Sequence, residues 1–179
     1  QVGFKAFVTS EVHMLQVVQA SPAQGFVSHI KSGRSNNVDR HAKARSRKNW
    51  AKNDRGRPLT PLGEQQAERL APVLAAYAVT RVITSSSTRC MDTVLPYSQE
   101  HVVGMRATPK LSEESADPTV IAKLLKKLMR DSESTVVCSH RPVLPHLFDA
   151  LGLEPLALAP GEMLVVHHRG TEVVATERH

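Results

Sequence analysis

Three short stretches of this chain carry side chains suited to anion chemistry. The first is Arg40-His41, the second Ser85-Ser86-Ser87-Thr88-Arg89, and the third Ser139-His140-Arg141-Pro142. Guanidinium forks match the oxygens of a phosphoryl group in pairs. A neutral imidazole can attack phosphorus and form a covalent intermediate. Each stretch alone has an ordinary reading: a lone histidine is commonly a surface residue, and an arginine commonly pairs with an acid. Two histidines and two arginines brought to one edge of a sheet would instead form a compact cationic pocket.

The charge is distributed in keeping with such a pocket. The 179 residues carry a formal net charge of +6. Residues 40–57 hold eight Lys and Arg and a single acid, Asp54, whereas residues 58–179 are slightly acidic. A chain basic along its whole length would suggest nucleic acid. One concentrated block suggests a site for a compact anion or a solvated basic loop. Within the block, Lys43, Arg45, Arg47, Lys48, Lys52, Arg55 and Arg57 are candidates to extend an anion site or to form its solvated rim. Trp50 could stack on a base or anchor the loop. Aromatic residues make up only 4% of the chain, which argues against a stacking nucleic-acid binder.

The elements that must position these groups can be read from periodicity. Thr60 and Pro61 open a helix whose apolar positions are Gly63, Ala67, Leu70, Leu74 and Tyr77, with a kink or a register break expected at Pro72. Arg81–Ser86 reads as a buried strand, and Thr88–Tyr97 as a helix. Asp117-Pro118 starts a helix with the stripe Val120, Ile121, Leu124, Leu125, Leu128. Thr135–Cys138 reads as a buried strand, Pro142–Leu151 as a helix closed by Gly152, and Met163–His167 with Glu172–Thr176 as a hairpin. Residues 4–8, 12–18 and 26–30 are strand-like. Alternating strands and helices imply an α/β three-layer sandwich, a mostly parallel central sheet with helices on both faces. In such sheets ligands bind beyond the carboxyl ends of the strands, where all three stretches fall.

Composition excludes several classes. Apolar residues are 41% and charged residues 22%, a globular balance. No run of about 18 apolar residues exists, so no membrane span is expected. The start lacks both Met and a signal-peptide pattern, which suggests a fragment or a processed form. Cys90 and Cys138 have no metal-ligand spacing, so reduced, buried thiols in a cytoplasmic protein are expected.

Taken together, the motifs resemble the histidine phosphatase superfamily, the phosphoglycerate-mutase-like branch 1. Arg40-His41-Ala42 is similar to that family's R-H-G/A signature. Arg57-Pro58-Leu59-Thr60-Pro61-Leu62-Gly63 resembles the opening of its first helix, Ser85–Thr93 its S-x-x-x-R-x-x-x-T stretch, and Ser139-His140 its second catalytic histidine. The compact layout resembles SixA-type phosphohistidine phosphatases. It is closer still to the phosphatase domain that follows a MutT/Nudix domain in two-domain actinobacterial hydrolases. The resemblance implies a phosphoglycerate-mutase-like fold over residues 39–179, following an atypical N-terminal segment, 1–38.

The resemblance also implies roles. His41 would be the nucleophile; Arg40, Arg89 and His140 would hold the phosphoryl oxygens; Glu113 would be the proton donor, with Glu114 as fallback. Lys43, Arg47, Lys48, Trp50 and Ser139 are the substrate-binding candidates. No cofactor or metal is implied. The implied substrate is a small phosphorylated molecule, a nucleoside di- or triphosphate and by analogy an oxidised guanine nucleotide, with a Nudix domain as partner in cis or trans. A phosphohistidine-protein phosphatase and a catalytically impaired phosphate-binding domain are the alternatives. In the family an apolar strand runs into the R-H motif. Here Ser35-Asn36-Asn37-Val38-Asp39 reads as too polar for a buried strand, and residues 1–38 contain no Nudix box.

Overall fold

The computed structural model describes residues 12–17, 33–131 and 133–179, the first 37 of the chain by backbone alone where described. The strands are β1 (Val12–Val17), β2 (Gly33–Arg40), β3 (Arg81–Ser85), β4 (Met105–Thr108), β5 (Thr135–Ser139), β6 (Met163–Arg169) and β7 (Glu172–Arg178). The helices are α1 (Pro61–Ala76), α2 (Thr88–Glu100), α3 (Pro118–Arg130) and α4 (Leu144–Ala150). The sheet order is β4-β3-β5-β2-β1-β6-β7, with β2 also paired to β6. The first five strands in that order are mutually parallel, and β6 and β7 are antiparallel. This is the expected three-layer, mostly parallel architecture.

The polar run 35–39 forms most of β2, which corrects the reading that it cannot enter the sheet. Its neighbours supply the reason. β2 pairs with strands on both sides, so its backbone groups are satisfied in the ladder. Val38 and Asp39 are completely buried. The strand therefore runs straight into Arg40-His41. The strand-like stretches at 4–8 and 26–30 lie outside the described residues; that at 12–18 coincides with β1.

Local sequence accounts for the helices. Thr60 caps α1 by accepting from Gly63 N at 3.1 Å, and Asp117 caps α3 by accepting from Thr119 N and Val120 N. α1 continues as one helix through Pro72, so of the two expectations there the break in the helix is absent. Burial of Leu70, Ala71 and Leu74, at about 1.5–3 kcal/mol for a large side chain, is enough to offset one missing backbone bond. β4 escapes a sequence reading because it is a four-residue strand at the sheet edge with no fully buried residue. The core runs between sheet and helices through Val82, Val136, Val137, Leu125, Leu147 and Phe148. Among the described residues no helix is long and apolar enough to cross a membrane.

Gly63 is required by a close approach. A Cβ there would lie 2.1 Å from the Lys43 carbonyl oxygen. That oxygen accepts from Thr60 N at 2.8 Å and from Thr60 Oγ1 at 3.0 Å. The start of α1 is thus docked directly on the loop that leaves β2.

Candidate active site

Three adjacent parallel strands end at one place. β2 delivers Arg40 and His41, β5 delivers Ser139 and His140, and β3 delivers Ser85. Arg40 pairs in register with Ser139, and His41 N donates to Ser139 O at 3.0 Å. The two imidazoles meet edge to face, with centroids 5.2 Å apart. α2 adds Arg89 and, one turn later, Thr93, both on its buried face. Thr93 Oγ1 accepts from Ala42 N at 2.9 Å and donates to Arg89 O at 2.6 Å. One hydroxyl thereby ties the residue after His41 to the helix carrying Arg89.

Hydrogen bonding fixes the His41 tautomer. Nδ1 lies 2.8 Å from Ala42 O. A carbonyl can only accept, so Nδ1 carries the proton and Nε2 keeps its lone pair. Burial, together with Arg89, Arg40 and Arg57, lowers the imidazole from 6.5 to about 3, against the raising effect of the Ala42 bond. His41 is therefore neutral near pH 7. His140 is fully buried, and burial, Arg89 and His41 push it down to about 2. Its Nε2 shares a hydrogen bond with Ser85 Oγ at 2.8 Å and lies 3.4 Å from Cys90 Sγ.

The arginines are held by two carboxylates. Arg89, fully buried, donates through one terminal nitrogen to Asp54 O at 2.8 Å; the other lies 3.1 Å from Asp54 Oδ2 and 3.5 Å from Glu113 Oε1. Arg57 Nε donates to Asp54 Oδ1 at 2.7 Å, and Arg47 bridges Asp54 and Glu113. Burial alone would raise the Asp54 carboxyl, but Arg57, Arg47 and Arg89 hold it well below the usual range. Glu113 Oε1 is also 3.7 Å from His140 Nδ1. Among the described residues, Arg40 Nε and Arg89 Nε are buried without a hydrogen-bond partner. Burial and Arg141 lower the Arg40 guanidinium.

An open cavity of about 360 Å³ lies over this cluster, lined by Arg40, His41, Lys43, Arg45, Arg47, Arg57, Glu113 and Arg141 among others. Most of the residues singled out from sequence therefore converge. Lys43 and Arg47 line the cavity. Ser139 supports it from below, its hydroxyl donating to Leu111 O and its carbonyl receiving His41 N. Lys48 and Trp50 do not line it. Lys48 is exposed on the short turn Arg47–Asn49, and Trp50 Nε1 donates to Asn53 O at 3.0 Å, an anchor within its own loop. Glu114 is exposed beside the inward Glu113. Asp54 is an addition from the structure, and Thr93 and Arg141 take definite places within stretches already singled out. The lone acid in a block of eight cations was the available signal for Asp54. His167 pairs with Glu177 at 2.6 Å, away from the cavity. Among the described residues no cluster of His, Cys, Asp or Glu could hold a metal ion.

The order of these groups along the chain is also that of a family model, which matches residues 38–118. The family of that model is the histidine phosphatase superfamily, branch 1. The matched span takes in Arg40, His41, Arg89 and Glu113. An 8-oxo-(d)GTP phosphatase of Mycolicibacterium smegmatis is 32% identical over 114 residues, 63% of this chain and 35% of that protein. The chain thus spans about a third of that relative's length. Among solved structures, the protein histidine phosphatase SixA complexed with tungstate aligns with a TM-score of 0.67 at 21% identity, covering 79% of this chain and 94% of that one. A phosphoserine phosphatase of Entamoeba histolytica aligns with a TM-score of 0.61 at 15% identity, covering 77% and 92%. The expected fold is borne out.

Proposed function

We propose that the chain is a phosphohydrolase that works through a phosphohistidine at His41 without a metal, and that its substrates are nucleoside di- or triphosphates. The observation that carries this reading is the neutral, tautomer-fixed His41 at the floor of a cation-lined cavity, with His140 beside it. His41 Nε2 attacks phosphorus; the bond from phosphorus to the leaving oxygen breaks, and its electron pair stays on that oxygen. Arg40, Arg89 and His140 stabilise the charge spread over the equatorial oxygens. For an alkoxide leaving group Glu113 would give the leaving oxygen a proton and then take one from the water that splits the phosphohistidine; a phosphate leaving group departs without that proton. The nucleotide preference draws on the similarity to the 8-oxo-(d)GTP phosphatase, which makes oxidised guanine nucleotides the first to try and a Nudix domain a partner worth testing.

A second reading, a phosphohistidine-protein phosphatase, is favoured by the compact fold shared with SixA. One assay separates the readings. The protein is incubated with EDTA and, separately, a nucleoside diphosphate, a phosphomonoester and a phosphohistidine protein, alongside His41→Ala. EDTA-resistant phosphate release that is fastest on the diphosphate and lost in the variant supports the proposal. Release confined to phosphohistidine protein supports the second reading. Phosphate binding without turnover on any substrate refutes both.

A further inference from the structure

Charge in the cavity divides into an inner and an outer group. Arg47, Arg57 and Arg89 sit with the carboxylates Asp54 and Glu113; counted with Arg40, which lines the cavity, they leave a balance of two positive charges. That suits the dianion of a single phosphoryl group. Three further cations line the same cavity: Lys43 and Arg45 on the loop after β2, and Arg141 on the turn after β5. Their side chains are exposed and make no hydrogen bond or ion pair with any described residue. They come from two separate segments yet border one opening, and a single phosphoryl group does not need them.

Resting on the phosphotransfer reading of the floor, we infer that Lys43, Arg45 and Arg141 form a second anion subsite, which takes the non-transferred phosphate of a phosphoanhydride substrate. In the reaction His41 Nε2 bonds to the terminal phosphorus and the bridging P–O bond breaks. The bridging electron pair departs on the inner phosphate, which the outer cations hold as its charge increases. Water then cleaves the phosphohistidine, giving inorganic phosphate and one proton. The outer group therefore contributes most where the leaving group is itself a phosphate, because only then does negative charge grow beside it.

The test is a comparison of inorganic phosphate with methylenediphosphonate, whose P–C–P bridge cannot be cleaved. Titration calorimetry at fixed ionic strength is run on the wild-type chain, on Arg141→Ala with Lys43→Ala, and on Lys126→Ala, which removes one charge from the exposed face of α3. The expected result is a preference of about tenfold or more for the diphosphonate in wild type, as one added charge-assisted contact would give. That preference should fall severalfold in the double variant, persist in Lys126→Ala, and shrink as salt rises. Equal affinities in wild type, or an undiminished preference in the double variant, overturn the subsite. If an acidic peptide displaces the diphosphonate with equal effect, the subsite is not one for phosphate, which also overturns it. The floor is judged separately by phosphate release from a monoester and its loss in His41→Ala. A preference without release leaves the subsite standing and removes the catalytic reading; release without a preference does the reverse.

Discussion

Asp39 lies two residues before His41, completely buried in β2, with neither carboxyl oxygen hydrogen-bonded among the described residues. Burial raises it well above its ordinary 3.8, against the lowering effect of the Cys138 thiol beside it. In the unfolded chain the same carboxyl ionises above that value. Folding therefore takes up a proton: the stability Asp39 contributes is complete below pH 3.8 and is lost as pH rises. While the folded carboxyl stays protonated, each pH unit costs about 1.4 kcal/mol. Asn has the shape of the protonated acid and does not titrate. Asp39→Asn should therefore gain on wild type as pH rises above 3.8, by at most about 1.4 kcal/mol per unit. Urea unfolding of both proteins at pH 5, 6 and 7 measures this slope. A constant offset from the new amide leaves the slope unchanged, and the titrations of His41 and His140 are common to both chains. Parallel stability profiles would refute a neutral carboxyl two residues before His41.

In ¹⁵N imidazole spectra at pH 5, His41 and His140 should both read as neutral, because their values of about 3 and about 2 lie below that pH; a protonated ring would contradict the burial argument. Since unfolding frees each ring to protonate below 6.5, this pair favours folding at neutral pH and opposes it as pH falls. Thr93→Val strands Ala42 N, so denaturation should report a loss of about 1–3 kcal/mol, and turnover should fall as the His41 loop loosens. Gly63→Ala must displace the Lys43 carbonyl, costing about 1–3 kcal/mol and read as a lower melting temperature. Glu113→Gln should slow alkyl phosphate hydrolysis by about 10²–10⁴ and slow an aryl phosphate much less; equal losses would mean that Glu113 is not the acid.

The fold was largely legible because its buried strands and helices carry strong local signals. The runs RVITS and TVVCS are short, apolar and continuous, and Thr60-Pro61 and Asp117-Pro118 are helix starts with a capping mechanism. β2 was illegible for a physical reason: its place is set by ladder bonds to neighbours distant in sequence, which outweigh the polar character of Ser35–Asn37. That His41, Arg89 and His140 would meet was legible from the motifs. Their setting was not. That Asp54 would face Arg57, Arg47 and Arg89 depends on how the loop from Ala44 to Pro58 closes, and an isolated bridge between Ala44 and Leu59 fixes that closure. Trp50 was ambiguous for the same reason, since its partner is a backbone carbonyl three residues away.

The carboxylates that engage Arg89 bear on turnover as well as on architecture. Asp54 and Glu113 already occupy the face that an incoming dianion would seek. Free phosphate must compete with anions that are permanently tethered nearby, so the orthophosphate left after each cycle is readily displaced. On the proposed reading, product inhibition should accordingly be shallow.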